Sequence, residues 1–106
     1  MRYLIRGKFT AQALRTIQQQ GAVDRVERAK ERFREMGAEI KQAYFVPTKG
    51  GLELIAIAEA EEDALAAILF AINGNGHIEE EAVRIMTPDE MDQVIKKSSS
   101  VSLPKG

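Results

Sequence analysis

The patterning of this sequence predicts an α+β domain of βαββαβ order: a four-stranded antiparallel sheet, helices on one face of it, and a short added helix near the C-terminus. Three observations carry the prediction. Four short segments read as strands: the first alternates with period two, the second sorts into two faces, the third is apolar on both faces, and the fourth is apolar-rich with competing faces. Between the first and second of these, and between the third and fourth, apolar residues recur every three or four positions, the spacing of helices. The boundaries fall at Gly37, Pro47, the turn Thr48-Lys49-Gly50-Gly51 and Asn73-Gly74-Asn75-Gly76, residue types that interrupt regular structure.

The first strand, residues 3–9, places Tyr3, Ile5, Gly7 and Phe9 on one face and Leu4, Arg6 and Lys8 on the other. Thr10 can cap a helix over 11–19. Gly21 interrupts that helix, and helical spacing resumes at Ala22, with Val26, Ala29, Phe33 and Met36 on one side. Gly37 suits the position just past a helix end, where positive φ is common. The second strand, 39–46, sorts into Ile40, Gln42, Tyr44 and Val46 against Lys41, Ala43 and Phe45, and ends at Pro47, which cannot donate to a ladder.

The third strand, 52–58, is apolar on both faces, as expected of a central strand covered on both sides. Glu61, Glu62 and Asp63 complement the positive end of the next helix dipole, and Leu65, Ile68, Leu69 and Ile72 form its buried stripe. In the fourth strand, 78–86, Ile78, Ala82 and Met86 compete with Val83 and Ile85 for the core. Thr87, Pro88 and Glu90 make a capping box for a helix ending near Lys97, with Met91, Val94 and Ile95 on its apolar side. Residues 98–106 are expected to form a flexible tail, leaving a single domain over 1–97.

This order of elements is the split βαβ, or ferredoxin-like, plan. With both main helices on one face, the other lacks a helical cover. Yet the third strand is apolar there, and Leu4 joins it. Apolar area of that kind calls for a partner, and a homodimer, sheet face to sheet face, gives the commonest closed symmetry.

Bulk properties remove several function classes. The 106 residues carry 15 basic and 16 acidic side chains, for a formal charge of −1. With an isoelectric point near 5.9, nucleic-acid binding is not expected. The absence of cysteine removes disulfides, thiolate metal sites and cysteine nucleophiles, and fits a reducing compartment. The apolar stretch at residues 1–6 is too short for a signal peptide, and no run approaches a membrane span, so a cytoplasmic protein without a membrane partner is expected.

Four segments resemble the GYD domain family, in the same order and at similar spacing over residues 3–95. They are Tyr3–Thr10 leading into Ala13-Leu14, Ala38–Phe45, Ile55–Ala60 and Arg84–Met91. The family's namesake Gly-Tyr-Asp falls on Gly51-Leu52-Glu53: the glycine is kept, Glu53 is a longer acid, and Leu52 stands in place of the tyrosine. The resemblance implies a ferredoxin-like fold related to dimeric α/β-barrel proteins and a family without an established function.

Candidate site residues follow from charge and position. Arg6 and Lys8 sit two apart on one face of a central strand, where charges must be paired or reach water. They could grip a small anionic ligand in a cavity beneath a dimer interface. The more economical reading pairs them with Glu53 on the neighbouring strand or with the second subunit. Glu53 could serve as a base only if burial raised its pKa. Tyr44 could turn its hydroxyl into a pocket or leave it in water. These four, Arg6, Lys8, Tyr44 and Glu53, are the expected ligand-binding residues.

His77 is the single histidine, a possible proton shuttle next to a glycine-rich turn, and with Glu79, Glu80 and Glu81 it supplies no convergent metal-ligand set. The Glu79–Glu81 run reads as a solvated edge-strand charge cluster that deters edge pairing. The glycine turns lack the lysine-serine ending of a phosphate loop. No catalytic residue, metal or cofactor is assigned.

Three functions are compatible with these features. The first is a homo-oligomeric module that binds a small ligand or a protein through the open sheet face. The second is a cofactor-free oxygenase or isomerase of the dimeric-barrel type, an idea that rests on fold analogy. The third is a structural subunit of a larger assembly.

Overall fold

Tyr3, Ile5 and Phe9 are buried on one side of strand β1 (Arg2–Phe9), while Arg6 and Lys8 on the other side are exposed. That contrast sets the layers of the fold. The computed structural model describes residues 1–76 and 78–100. His77, considered above as a proton shuttle, lies outside the described residues, as does the stretch 101–106.

The remaining elements are α1 (Ala11–Gln20), α2 (Ala22–Glu35), β2 (Glu39–Thr48), β3 (Gly51–Glu59), α3 (Glu62–Asn75), β4 (Ile78–Arg84) and α4 (Pro88–Ser99). The protein is α+β, with one four-stranded antiparallel sheet in the order β2-β3-β1-β4 and four helices. The order is not a plain βαββαβ. Gly21, at φ 91°, divides the first connection into two helices, and α4 follows the last strand.

The pairing register assigns each side chain to a face. On the helix side, Ala43, Ala56, Ile5 and Ala82 form one row across the sheet, and Phe45, Leu54, Gly7 and Glu80 the next. The undecided faces of the fourth strand are thereby settled: Ile78, Glu80 and Ala82 turn toward the helices, and Val83 turns away. The second strand needs a correction. A bulge between Ile40 and Gln42 shifts the phase, so Ile40 joins Ala43 and Phe45 on the helix side, opposite Gln42, Tyr44 and Val46. A bulge adds one unpaired residue, which reverses the alternation on either side of it.

The main core gathers Tyr3, Ile5, Phe33, Ile40, Leu65 and Ile68 over Ala56 and Ala58. A second cluster, Phe9, Ala13 and Ile78, lies under α1 with Leu14, Ile17 and Leu52 packed around it. The Thr10 hydroxyl caps α1 by accepting from the Ala13 N–H at 3.3 Å.

Helix α4 has the capping box expected of its sequence. The Thr87 Oγ1 accepts from the Glu90 N–H at 3.2 Å, and the Glu90 carboxylate accepts from the Thr87 N–H at 3.0 Å. The bond from the Thr87 N–H to the carboxylate, with the Thr87 side chain beside it, stabilises the ionised form and holds the Glu90 carboxyl below its usual range. The helix continues to Ser99 rather than ending at Lys97, so the serines at 98 and 99 belong to it and not to a tail. None of its own residues is buried. Thr87→Ala should therefore cost about 1 kcal/mol of local helix stability. Amide exchange at residues 91–97 is expected to quicken while the global urea midpoint stays put; an equal fall in both would show α4 to be part of the cooperative core.

Candidate functional site

The second helix-side row explains how a carboxylate comes to face the interior. Gly7 sits between Leu54 and Glu80 in that row. A Cβ at Gly7 would lie 2.5 Å from the Ile78 Cδ1 and 2.9 Å from the Glu80 Cγ. The missing side chain is thus the space through which Glu80 turns in.

Above it lies a chamber of about 400 Å³ between the sheet and helices α2 and α3. Its floor is largely alanine and isoleucine: Ala43, Ala56, Ile5 and Ile40 from the sheet, with Phe33 and Ile68 from the helices. Helix α2 packs chiefly on β2 and helix α3 on β4, at opposite flanks of the sheet. The gap between them forms the mouth, rimmed by the exposed Arg32, Glu35, Ala71 and Asn75.

Inside the rim, two charged groups belong to the lining of this apolar space. The first is Glu80. Its Oε2 is buried and has no hydrogen-bond partner among the described residues. Burial pushes its carboxyl up to about 7, with the nearby Arg25 guanidinium pulling the other way. The second is Arg25 on α2, half-buried, with its guanidinium 5.7 Å from the centre of the Phe9 ring. Phe9 in turn stacks on Phe45 at 6.0 Å. Burial lowers the Arg25 pKa, reinforced by Arg32 and opposed by Glu80. The two groups sense each other's charge, yet no ion pair within 4.0 Å joins them among the described residues.

The backbone of Glu80 is fixed from the last turn of α3. The Asn73 side-chain amide donates to the Glu80 carbonyl at 3.0 Å, and its oxygen accepts from the Glu80 N–H at 2.7 Å. On an edge strand these two backbone groups have no neighbouring strand, so Asn73 takes that strand's place. The carboxyl is therefore held on a fixed stem beside the chamber.

The residues singled out from sequence lie on the opposite face. Arg6, Lys8, Tyr44 and Glu53 all project from the open side of the sheet. Arg6 pairs with Glu53 at 3.7 Å, Lys8 stands opposite both Glu53 and Glu79 in the register, and Tyr44 stands opposite Ile55 with 58% of its surface exposed. Together with Glu81, the two basic residues and Glu53 line a shallow open depression. The ion pair expected between Arg6 and Glu53 is present.

The acidic run is not uniformly solvated. Glu79 and Glu81 are exposed, whereas Glu80 is turned in. Among the described residues no three acidic or histidine side chains gather to hold a metal ion. Among the described residues no helix is long and apolar enough to cross a membrane.

The raised pKa of Glu80 has a measurable sign. Between its ordinary value of 4.5 and about 7, the native state holds a proton that the unfolded chain has released, so stability falls as pH rises through that window. Glu80→Gln should remove this fall: the variant is expected to match wild type at pH 4 and to exceed it by about 2 kcal/mol at pH 8. Urea unfolding of both proteins across that range measures the difference. Parallel profiles would mean that the carboxyl titrates as it does in water.

Among curated proteins none matches this chain. The family model of the GYD domain matches residues 3–95, spanning every strand and the chamber between sheet and helices. The chain belongs to the GYD domain family.

Proposed function

We propose that this protein binds a small, largely apolar ligand in the chamber between the sheet and helices α2 and α3. One observation carries the reading: an apolar-walled space of about 400 Å³ whose lining includes the Glu80 carboxyl, one oxygen of which is buried without a hydrogen-bond partner among the described residues. Ligand sites combine these features, an apolar lining with a few placed polar groups, and their volumes begin at roughly 300 Å³. Unpartnered buried polar atoms are rare in folded proteins, and a ligand that bonds the Glu80 carboxyl would give that group a partner. The ligand role moves from the open sheet face to the chamber because Arg6 and Glu53 already satisfy each other in a shallow, wet depression.

The open face has a different part in this proposal, as the surface where two copies meet. Its rows are zoned. Gln42, Ile57, Leu4 and Val83 form an apolar-rich row, Tyr44 and Ile55 continue the apolar area, and Glu53, Lys8, Glu79, Arg6 and Glu81 alternate in sign beyond it. A two-fold axis through such a face can set apolar zone on apolar zone and acid against base. The fold would then be a ferredoxin-like plan with a broken first helix, an assignment supported by the antiparallel strand order and the one-sided core. A chain without cysteine suits the reducing cytoplasm, the compartment we assign it.

Each part has its test. The neutral fluorophore N-phenyl-1-naphthylamine should brighten on binding wild type. Ala29→Trp within the chamber and Ala71→Trp at its mouth should each weaken that binding at least about tenfold while thermal unfolding stays cooperative. Equal binding by all three proteins would remove the chamber as the site. For the assembly, light scattering at micromolar concentration should give twice the 11.8 kDa of one chain. Val83→Lys and Ile57→Lys should return single-chain mass with unchanged circular dichroism. A single-chain mass for wild type would overturn the dimer.

A further inference from the structure

The two charges of the chamber restrict what its ligand can carry. Glu80 and Arg25 belong to different layers, β4 and α2, and face the same space without closing on each other. Among the described lining residues, the charged groups facing Glu80 are Arg25, Arg32 and Glu35, all from α2. Helix α3 adds the Asn75 amide to the apolar Ile68, Ala71 and Ile72, and the lining contributions of β1, β2 and β3 are apolar.

A carboxylate ligand would meet Arg25 and Arg32 favourably, but would bring a second negative charge against Glu80. An ammonium ligand would satisfy Glu80, but would be repelled by two guanidinium groups. A purely apolar ligand would leave both Glu80 and Arg25 desolvated and unpaired, the costly outcome for buried charge. A neutral group that donates one hydrogen bond and accepts another satisfies both at once. A hydroxyl does this with one atom: its O–H donates to the Glu80 carboxylate, and its lone pair accepts from the Arg25 guanidinium.

Resting on the chamber being the binding site, we propose that its ligand is a neutral hydroxyl compound, an aromatic or alicyclic alcohol or phenol, whose hydroxyl bridges Glu80 and Arg25 while its ring fills the apolar floor. The ring has matching surroundings. Phe9, stacked on Phe45 and carrying the Arg25 guanidinium over its face, orients the cation beside the lining. The Asn73 clamp keeps the Glu80 stem in place. Arg32 and Glu35 stand at the exposed rim with opposite charges, so the polar requirement inside falls on the one bridging position.

Four naphthalenes of similar size test this by isothermal titration near pH 8: 2-naphthol, 2-methylnaphthalene, 2-naphthoate and 2-naphthylmethylammonium. The expected result is that 2-naphthol binds about tenfold or more tighter than 2-methylnaphthalene, the effect of one hydrogen bond to a charged group. The two ions should bind more weakly than 2-naphthol. Glu80→Leu and Arg25→Met, each still binding N-phenyl-1-naphthylamine as proof of an intact chamber, should reduce the preference for the hydroxyl to within about twofold. Equal binding of 2-naphthol and 2-methylnaphthalene would overturn the hydroxyl inference and leave the chamber reading standing. Tightest binding of 2-naphthoate would make the site one for anions, and of the ammonium one for cations. If neither N-phenyl-1-naphthylamine nor any of the four binds, the chamber reading itself fails.

Discussion

Strand β1 is paired along its length on both sides, with β3 at one flank and β4 at the other, and from that double pairing most of the molecule follows. Because the side-chain period of a strand is two, a register fixed on both flanks fixes the face of every residue across the sheet. Ile5 and Phe9 cannot reach the core without sending Arg6 and Lys8 to the other side. Opposite them, Ile78 and Ala82 cannot face the helices without taking Glu80 along. A slip of one residue would bury Arg6 and expose Ile5. The inward carboxyl is therefore a consequence of alternation, made sterically possible by the one position in β1 without a side chain, Gly7.

The chamber arises from two further local causes. Three of the four residues in the central helix-side row are alanines, Ala43, Ala56 and Ala82, so the sheet presents a low floor. The break at Gly21 lets α1 cover the Phe9 and Leu52 end of the sheet while α2 lies over the β2 side. Helix α3 packs on β4 at the opposite flank. A low floor beneath separated helices leaves volume where a better-filled core would have contacts. Apolar volume left open forgoes dispersion energy, and the burial of Glu80 forgoes more. Both penalties fall in the same place, the pattern expected where local consistency yields to a site.

Much of this was legible in the sequence. The helix break at Gly21, the turn at Gly50-Gly51, the stripe Leu65-Ile68-Leu69-Ile72 and the Thr87-Glu90 capping box are local signals, and they appear where the residues imply. The Arg6–Glu53 pair was legible because opposite charges two apart in register share one face of the neighbouring strands β1 and β3. What was hidden depends on phase. The bulge at Lys41 has no residue signature such as glycine, so strict alternation misassigned Ile40. Three consecutive glutamates look solvated, and only the flanking Ile78 and Ala82 mark Glu80 as sharing their face. That inference required deciding the face of β4, which the competing Val83 and Ile85 obscured. The Asn73 contact spans a turn whose geometry no local pattern specifies.

That contact also bears on how the sheet meets other molecules. An exposed strand edge is an open row of donors and acceptors, and it is the usual route by which sheets extend into their neighbours. On β4 the middle of that row is occupied, because the Glu80 amide and carbonyl are both spent on Asn73. On β2, the bulge at Lys41 and the missing donor of Pro47 break the row at two points. With both borders closed, growth by strand addition is disfavoured at either end. Any ordered association of this protein is directed to its faces and helices, and the same closures guard the sheet's isoleucines against fibrillar stacking.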